Sequence, residues 1–232
     1  MIPDLQGYGW LLVDGLKMTL FVAIASMLGT LVLGLIAALG KIFASKWVRY
    51  LIEAYTTVVR GVPELVLLLL IYYGIPTLLQ DSIGAMGYDV TIPINPFVAG
   101  IGTLTLIYAA FACEVYRAAY LAVPLGQHDA AQSLGLPPKI AFRKVILPQM
   151  MRYALPGIGN IWMVLIKATA LISIIQLPEL MRNADIAARS TRQPFTFFFM
   201  ACLLYLVITL VSMFLQARAE RWAKRGIFEG AS

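Results

Sequence analysis

Asp129, Ala130 and Ala131 stand side by side, Gly135 follows six positions after the aspartate, and Val145-Ile146-Leu147-Pro148 closes the same polar stretch, 122–148. One carboxylate beside two small residues is no catalytic constellation. It suits contact instead: the alanines let a partner come close, the aspartate supplies a charge, and Gly135 permits the left-handed turn that ends a short helix over about 126–134. Pro137-Pro138 then forces a corner, and a second short helix is expected over about 139–146. Two short helices at an angle make either a structured connection or a rigid knob that passes a push from a docked partner into the rest of the chain.

The remaining chemistry-bearing residues are charges in apolar surroundings: Glu64, Glu114, Arg117 and Lys167. An ionisable group at the centre of a membrane helix costs about 2.5–3.5 kcal/mol on insertion scales, so each marks a transport pathway or a neutralised pair. Arg60 and Glu64 are four apart and Glu114 and Arg117 three apart, so each pair can neutralise itself on one helix face, while Glu114 also stands as a pathway candidate. Lys167 has no acid at helical spacing and must meet a carboxylate from elsewhere, backbone carbonyls or water. Asn160 lies seven positions before it on the same face. With Thr169 and Ser173 these residues give one helix a polar content that suits either a pathway lining or a polar seam between helices.

The elements that position these residues follow from composition. Of the 232 residues 60% are hydrophobic and 13% charged, and the mean hydropathy is +0.82, far from the roughly 25% charged residues of soluble domains. The apolar residues fall in five blocks, about 16–39, 52–79, 96–122, 155–175 and 195–215, each long enough to cross roughly 30 Å of hydrocarbon. The fold class is therefore all-α integral membrane, a single domain of five spans with a cytoplasmic loop over about 123–148. The second block carries Arg60-Gly61-Val62-Pro63-Glu64 inside its first turns, which is expected to break or kink the helix. Ser26, Thr30, Gly34 and Ala38 recur every four residues in the first span and read as a close-packing stripe.

Lys41, Lys46 and Arg49, then Lys139, Arg143, Lys144 and Arg152, then Arg218, Arg221, Lys224 and Arg225 fall on one face, which the positive-inside rule makes cytoplasmic. Asp4, Asp14, Asp81, Asp89, Glu179 and Asp185 fall on the other, with Arg182, Arg189 and Arg192 dissenting. The expectation is an external N-terminus and a cytoplasmic C-terminus, and the net charge of +6 is topological rather than a nucleic-acid footprint. The first span, flanked by Asp14 and Lys17, reads as a retained helix rather than a cleaved leader. Cys113 and Cys202 lie in apolar spans and His128 is the one histidine, so neither a disulfide nor a metal site is expected.

The pattern Asp129-Ala-Ala, Gly135 and Val145-x-Leu147-Pro148 resembles the EAA loop of permease subunits of bacterial ABC importers, with Asp for Glu and Val for Ile. The segment from Glu53 through Arg60-Gly-Val-Pro63 to Val66, the run from Pro148 to Asn160, and Lys167-Ala-Thr-Ala-Leu171 are similar to polar amino-acid permeases, especially those for histidine, lysine, arginine, ornithine and opines. This resemblance implies a type I ABC importer permease fold, with Asp129, Ala130, Ala131, Gly135, Leu147 and Pro148 at the coupling loop. It implies a second permease subunit, two ATP-binding subunits that hold ATP and Mg, a periplasmic solute-binding protein, and a place in the bacterial inner membrane. The chain itself carries no Walker-type phosphate loop, hence no catalysis and no cofactor of its own. Relatives that handle cationic amino acids can carry Glu after the Gly-Asn pair and Asp after the Lys, where this chain has Ile161 and Ala168. Either a second, non-identical permease subunit supplies the counter-charge, which is expected for a cationic amino acid, or the ligand is not a simple cationic amino acid. A self-sufficient secondary transporter or channel is the alternative, and would call for paired repeats around an ion site.

Overall fold

The computed structural model describes residues 5–86 and 93–223, and every regular element among them is helical. Asp4, Asp89, Lys224 and Arg225, which entered the charge argument, lie outside the described residues. Five segments are long and apolar enough to cross a bilayer: Gly9–Phe43, Glu64–Gly84, Pro96–Leu121, Pro138–Ile175 and Pro194–Ala223.

The core is built on α1 (Gly9–Phe43) against α5 (Pro96–Leu121). Thr19, Ser26, Thr30, Gly34 and Ala38 are buried along one side of α1, and small residues there let the two backbones close. A Cβ on Gly34 would stand 2.6 Å from that of Ala112, nearer than side-chain carbons pack, so glycine is required for this approach. Asn95 caps α5 by accepting from the Phe97 N–H at 2.8 Å, and Pro96 occupies a first-turn position where an N–H has no partner to lose.

The second block differs from the expected span over about 52–79. Helix α2 (Lys46–Gly61) stops at Val62, and the crossing segment begins only at α3 (Glu64–Leu69), continuing through a wide turn, Leu70–Gly74, into α4 (Ile75–Gly84). Pro63 lacks an N–H and drives Val62 into extended backbone at φ −108°, ψ 138°, so of the break and the kink that this segment allowed, the helix takes the break. Arg60 and Glu64 are thereby placed on different helices. The pairing expected of them is not formed: Arg60 lies over the Phe111 ring, and Glu64 accepts from the Tyr108 hydroxyl at 2.9 Å.

After α5 comes α6 (Leu125–Ser133), then α7 (Pro138–Ala141), a wide turn over Phe142–Ile146, and α8 (Leu147–Ala168). The short helix expected over about 139–146 is thus the first part of one rod that runs on through a tight 3-10 stretch to Ile175. Both wide turns stand immediately ahead of a proline, Pro76 and Pro148. There the Ile75 N–H reaches back five residues to Leu70 and the Leu147 N–H to Phe142. The longer reach makes room for a ring that would otherwise strike the carbonyl four residues earlier. Helix α9 (Leu180–Thr191) packs on α1 and on α10 (Pro194–Ala223), which also packs against α8.

Candidate functional site

Helix α6 projects from the same end of the bundle as Phe43 and Tyr120, the ends of α1 and α5. Its termination is fully specified: Gly135 at φ +68° donates to Gln132 O at 2.9 Å, and Leu136 donates back to Ala131 O at 3.1 Å, the paired bonds of a left-handed helix stop. Asp129 and Ala130 face outward, whereas Ala131 is buried. Beneath Ala131 a cavity of about 500 Å3 is walled by Phe43, Tyr120, His128 and Phe142. Gln149 Nε2 donates to Gln127 Oε1 at 3.0 Å, tying α6 to α8. Leu125 and Leu134 are exposed on the projection. Leu147 is half-buried against the core and Pro148 exposed in the first turn of α8, so these two belong to the rod under the knob and not to its tip.

The expected pathway residues separate into two places. Lys167 is exposed and shares a groove of about 320 Å3 with Met181, Phe198, Cys202 and Tyr205. Ser173 is half-buried in an adjoining pocket of about 300 Å3 with Gln176, Arg182, Asp185 and Arg189, and Met181 and Phe198 form part of both walls. Asn160 is exposed on α8. Thr169, by contrast, is fully buried and donates to the Ile166 carbonyl at 2.7 Å, with the Tyr205 hydroxyl of α10 as a second neighbour. Glu114 lies elsewhere, between Lys41 at 2.8 Å and Arg117 at 2.9 Å. Ile161 and Ala168, 6% and 5% exposed, are packed into the apolar core. Among the described residues no cluster of three or more His, Cys, Asp or Glu forms a metal site.

Two residues carry more than their sequence context signalled. Lys41 looks in the sequence like one more flanking basic residue, yet its ammonium reaches inward to Glu114. Glu179 looks like a loop acid, yet it is 0% exposed and accepts from the Met181 N–H at 2.9 Å, the Arg182 N–H at 2.7 Å, the Tyr205 hydroxyl at 3.2 Å and the Thr19 hydroxyl at 3.4 Å. One carboxyl thus caps α9 and joins it to α1 and α10. Burial pushes it up to about 7, against the lowering by the two backbone N–H groups and the two hydroxyls. A Pro-Glu pair before an amphipathic segment was the available signal for a cap.

Residues 30–225 match the family described as binding-protein-dependent transport system inner membrane component. The chain is 42% identical over 225 residues to the histidine/lysine/arginine/ornithine transport system permease protein HisQ of Escherichia coli K12, covering 95% of this chain and 98% of that protein. It is 43% identical over 222 residues to the nopaline transport system permease protein NocQ of Agrobacterium fabrum, covering 95% and 94%. Among solved structures, a crystal structure of an amino acid ABC transporter with histidines superposes with a TM-score of 0.81 at 34% identity, covering 95% of this chain and 99% of that one.

Proposed function

The chain belongs to the family of binding-protein-dependent transport system inner membrane components, the non-catalytic permease subunits of ABC importers, and from this we propose that it is one half of a permease importing basic amino acids or opines. The substrate class is supported by the relatives that carry histidine, lysine, arginine and ornithine or nopaline. ATP and Mg belong to two partner ATPase subunits, and an external solute-binding protein delivers the ligand. The chain resides in the bacterial inner membrane with its N-terminus external and its C-terminus cytoplasmic, the side on which the knob and the flanking basic residues stand.

The observation that carries this reading is the knob itself. A helix stopped by Gly135, bonded to α8 through Gln127 and Gln149, is too well fixed for a slack connection and presents Asp129, Ala130, Leu125 and Leu134 to a partner. A push on it is delivered into α8, on whose far part Lys167 stands.

The second permease subunit is non-identical on this reading. A cationic ligand held in a water-poor site needs a carboxylate, since an unpaired buried charge costs several kcal/mol. Positions 161 and 168 are occupied by core packing, and Asp185 already serves Arg182 and Arg189. Reconstitution tests the whole proposal: with an ATPase, a binding protein and a second permease subunit the chain imports a basic amino acid or opine and retains the ATPase on purification. As the sole permease it does not, and robust import by such a homodimer would refute the assignment of the counter-charge.

A further inference from the structure

Lys41, Arg49, Arg60 and Arg117 line an open cleft of about 430 Å3 whose carboxylates are Glu53 and Glu114. Four cations against two anions leave an excess of two positive charges, and the geometry tells which cations are in excess. Both oxygens of Glu114 are taken, one by Lys41 at 2.8 Å and the other by Arg117 at 2.9 Å. Glu53 is largely exposed and reaches Lys41 only at 4.0 Å. Arg49 lends one nitrogen to the Ile42 carbonyl at 3.4 Å, and Arg60 lies 5.5 Å from the centre of the Phe111 ring. Neither forms an ion pair among the described residues. Two forked guanidinium groups therefore stand at the cleft with donors open, and such forks suit phosphate oxygens.

What stands next to the cleft selects among phosphates. On α2 the residues at about 100° per position fall into three stripes. Ile52, Thr56 and Val59 face the bundle, Arg49, Glu53 and Arg60 face the cleft, and Trp47, Leu51 and Val58 form an exposed apolar stripe, with Tyr50 on the border between the last two. Trp47 and Tyr50 are 80% and 68% exposed at the start of the helix, the position and residue types of a membrane-interface belt. A helix with an apolar stripe roughly opposite a basic one, as here with Tyr50 between them, is the pattern that lies at a headgroup layer with its apolar side among acyl chains. We infer that this cleft binds the phosphate of an anionic phospholipid, held by Arg49 and Arg60, with the lipid's chains lying along Leu51 and Val58 past Tyr50. The inference rests on the orientation proposed above, which places the cleft at the cytoplasmic leaflet, where anionic headgroups gather against juxtamembrane cations.

The test uses the assembled transporter, purified from membranes supplemented with phosphatidylglycerol and phosphatidylethanolamine, with bound lipid read by native mass spectrometry. Phosphatidylglycerol is expected to be retained about tenfold over phosphatidylethanolamine, and Arg49→Gln with Arg60→Gln to cut that retention roughly fivefold. Arg218→Gln with Arg221→Gln removes the same charge at the end of α10 and should change it less than about twofold. Arg49→Lys with Arg60→Lys, which keeps the charge and loses the fork, should fall between. Equal loss from the α2 and α10 pairs would reduce the effect to general surface attraction and overturn the site. So would equal retention of the two lipids, displacement by millimolar inorganic phosphate alone, or shielding of Arg49 and Arg60 from a guanidine reagent by the second permease subunit in the absence of lipid. Labelling of Ser45→Cys from each side reads the orientation separately, so the two readings fail independently.

Discussion

Lys41 Nζ stands 2.8 Å from Glu114 Oε1, which bonds the last turn of α1 to α5 through a cation whose side chain is only 11% exposed. Glu114 is shared with Arg117 on its own helix, so the three groups form one unit carrying a net positive charge. Lys41→Met should destabilise the assembled subunit by about 1.5–3 kcal/mol, the range for a hydrogen bond to a charged group. Glu114→Gln should lower folded yield more, because it leaves two cations facing one another. Thermal melts of both variants and of the double variant decide: strictly additive losses would show that the contact carries no energy of its own.

Gly135→Val should uncouple ATP hydrolysis from transport without blocking insertion. Its φ of +68° disfavours a β-branched residue by about 1–2 kcal/mol, while no neighbouring atom lies within 4 Å of the added Cβ. The effect is therefore on the angle of the helix stop and not on packing. Gly135→Asn, which tolerates the left-handed region, should retain most coupling. Substrate-stimulated ATP turnover in the two variants is the measurement, and full coupling in the valine variant would remove the knob from the mechanism.

Lys167→Met should leave assembly intact and reduce transport at least roughly tenfold, since removing a charged contact costs about 1.5–3 kcal/mol. The Lys167 ammonium forms no ion pair or side-chain hydrogen bond among the described residues, and it is exposed at the groove, so its loss strands no partner. A fall in subunit yield with normal transport by the surviving complexes would instead make it a structural lysine.

Glu179 gives the α9 region a pH dependence. An ordinary glutamate titrates at 4.5 and this one at about 7, so the folded arrangement holds its proton more tightly than the unfolded chain does. Its contribution is complete below pH 4.5 and is lost as pH rises through 7. Amide protection along α9, corrected for intrinsic exchange, should therefore decline from pH 5 to 8 in the wild type and stay level in Glu179→Gln. A parallel decline in that variant would assign the titration to another group.

The five apolar blocks were legible because a bilayer demands length and apolarity above all, and the stripe of Ser26, Thr30, Gly34 and Ala38 was legible because small residues at helical spacing have one main use. The interruption at Pro63 was visible, with break and kink both left open. A proline after a β-branched residue either kinks a helix or ends it, and local propensity does not choose between them. The Arg60 and Glu64 pairing failed for that reason, since spacing has meaning only within one continuous helix. Lys41 and Glu179 escaped notice because their partners, Glu114 and Thr19, lie 73 and 160 positions away, and only tertiary packing brings them together. The burial of Thr169 was not legible, because a hydroxyl that turns back to its own helix carries the same letter as one that faces water.

The wide turns ahead of Pro76 and Pro148 set a rotational phase. Each inserts one residue beyond the regular repeat, and one residue is about 100° of azimuth, so the knob and the Lys167 groove are clocked relative to each other by the turn at Phe142–Ile146. Were Pro148 replaced by alanine, the ladder would be free to anneal to regular bonding, and the rod would then have to rewind by that angle somewhere between α6 and the groove. A single proline at the base of the rod thus sets the azimuth at which Lys167 stands relative to α6.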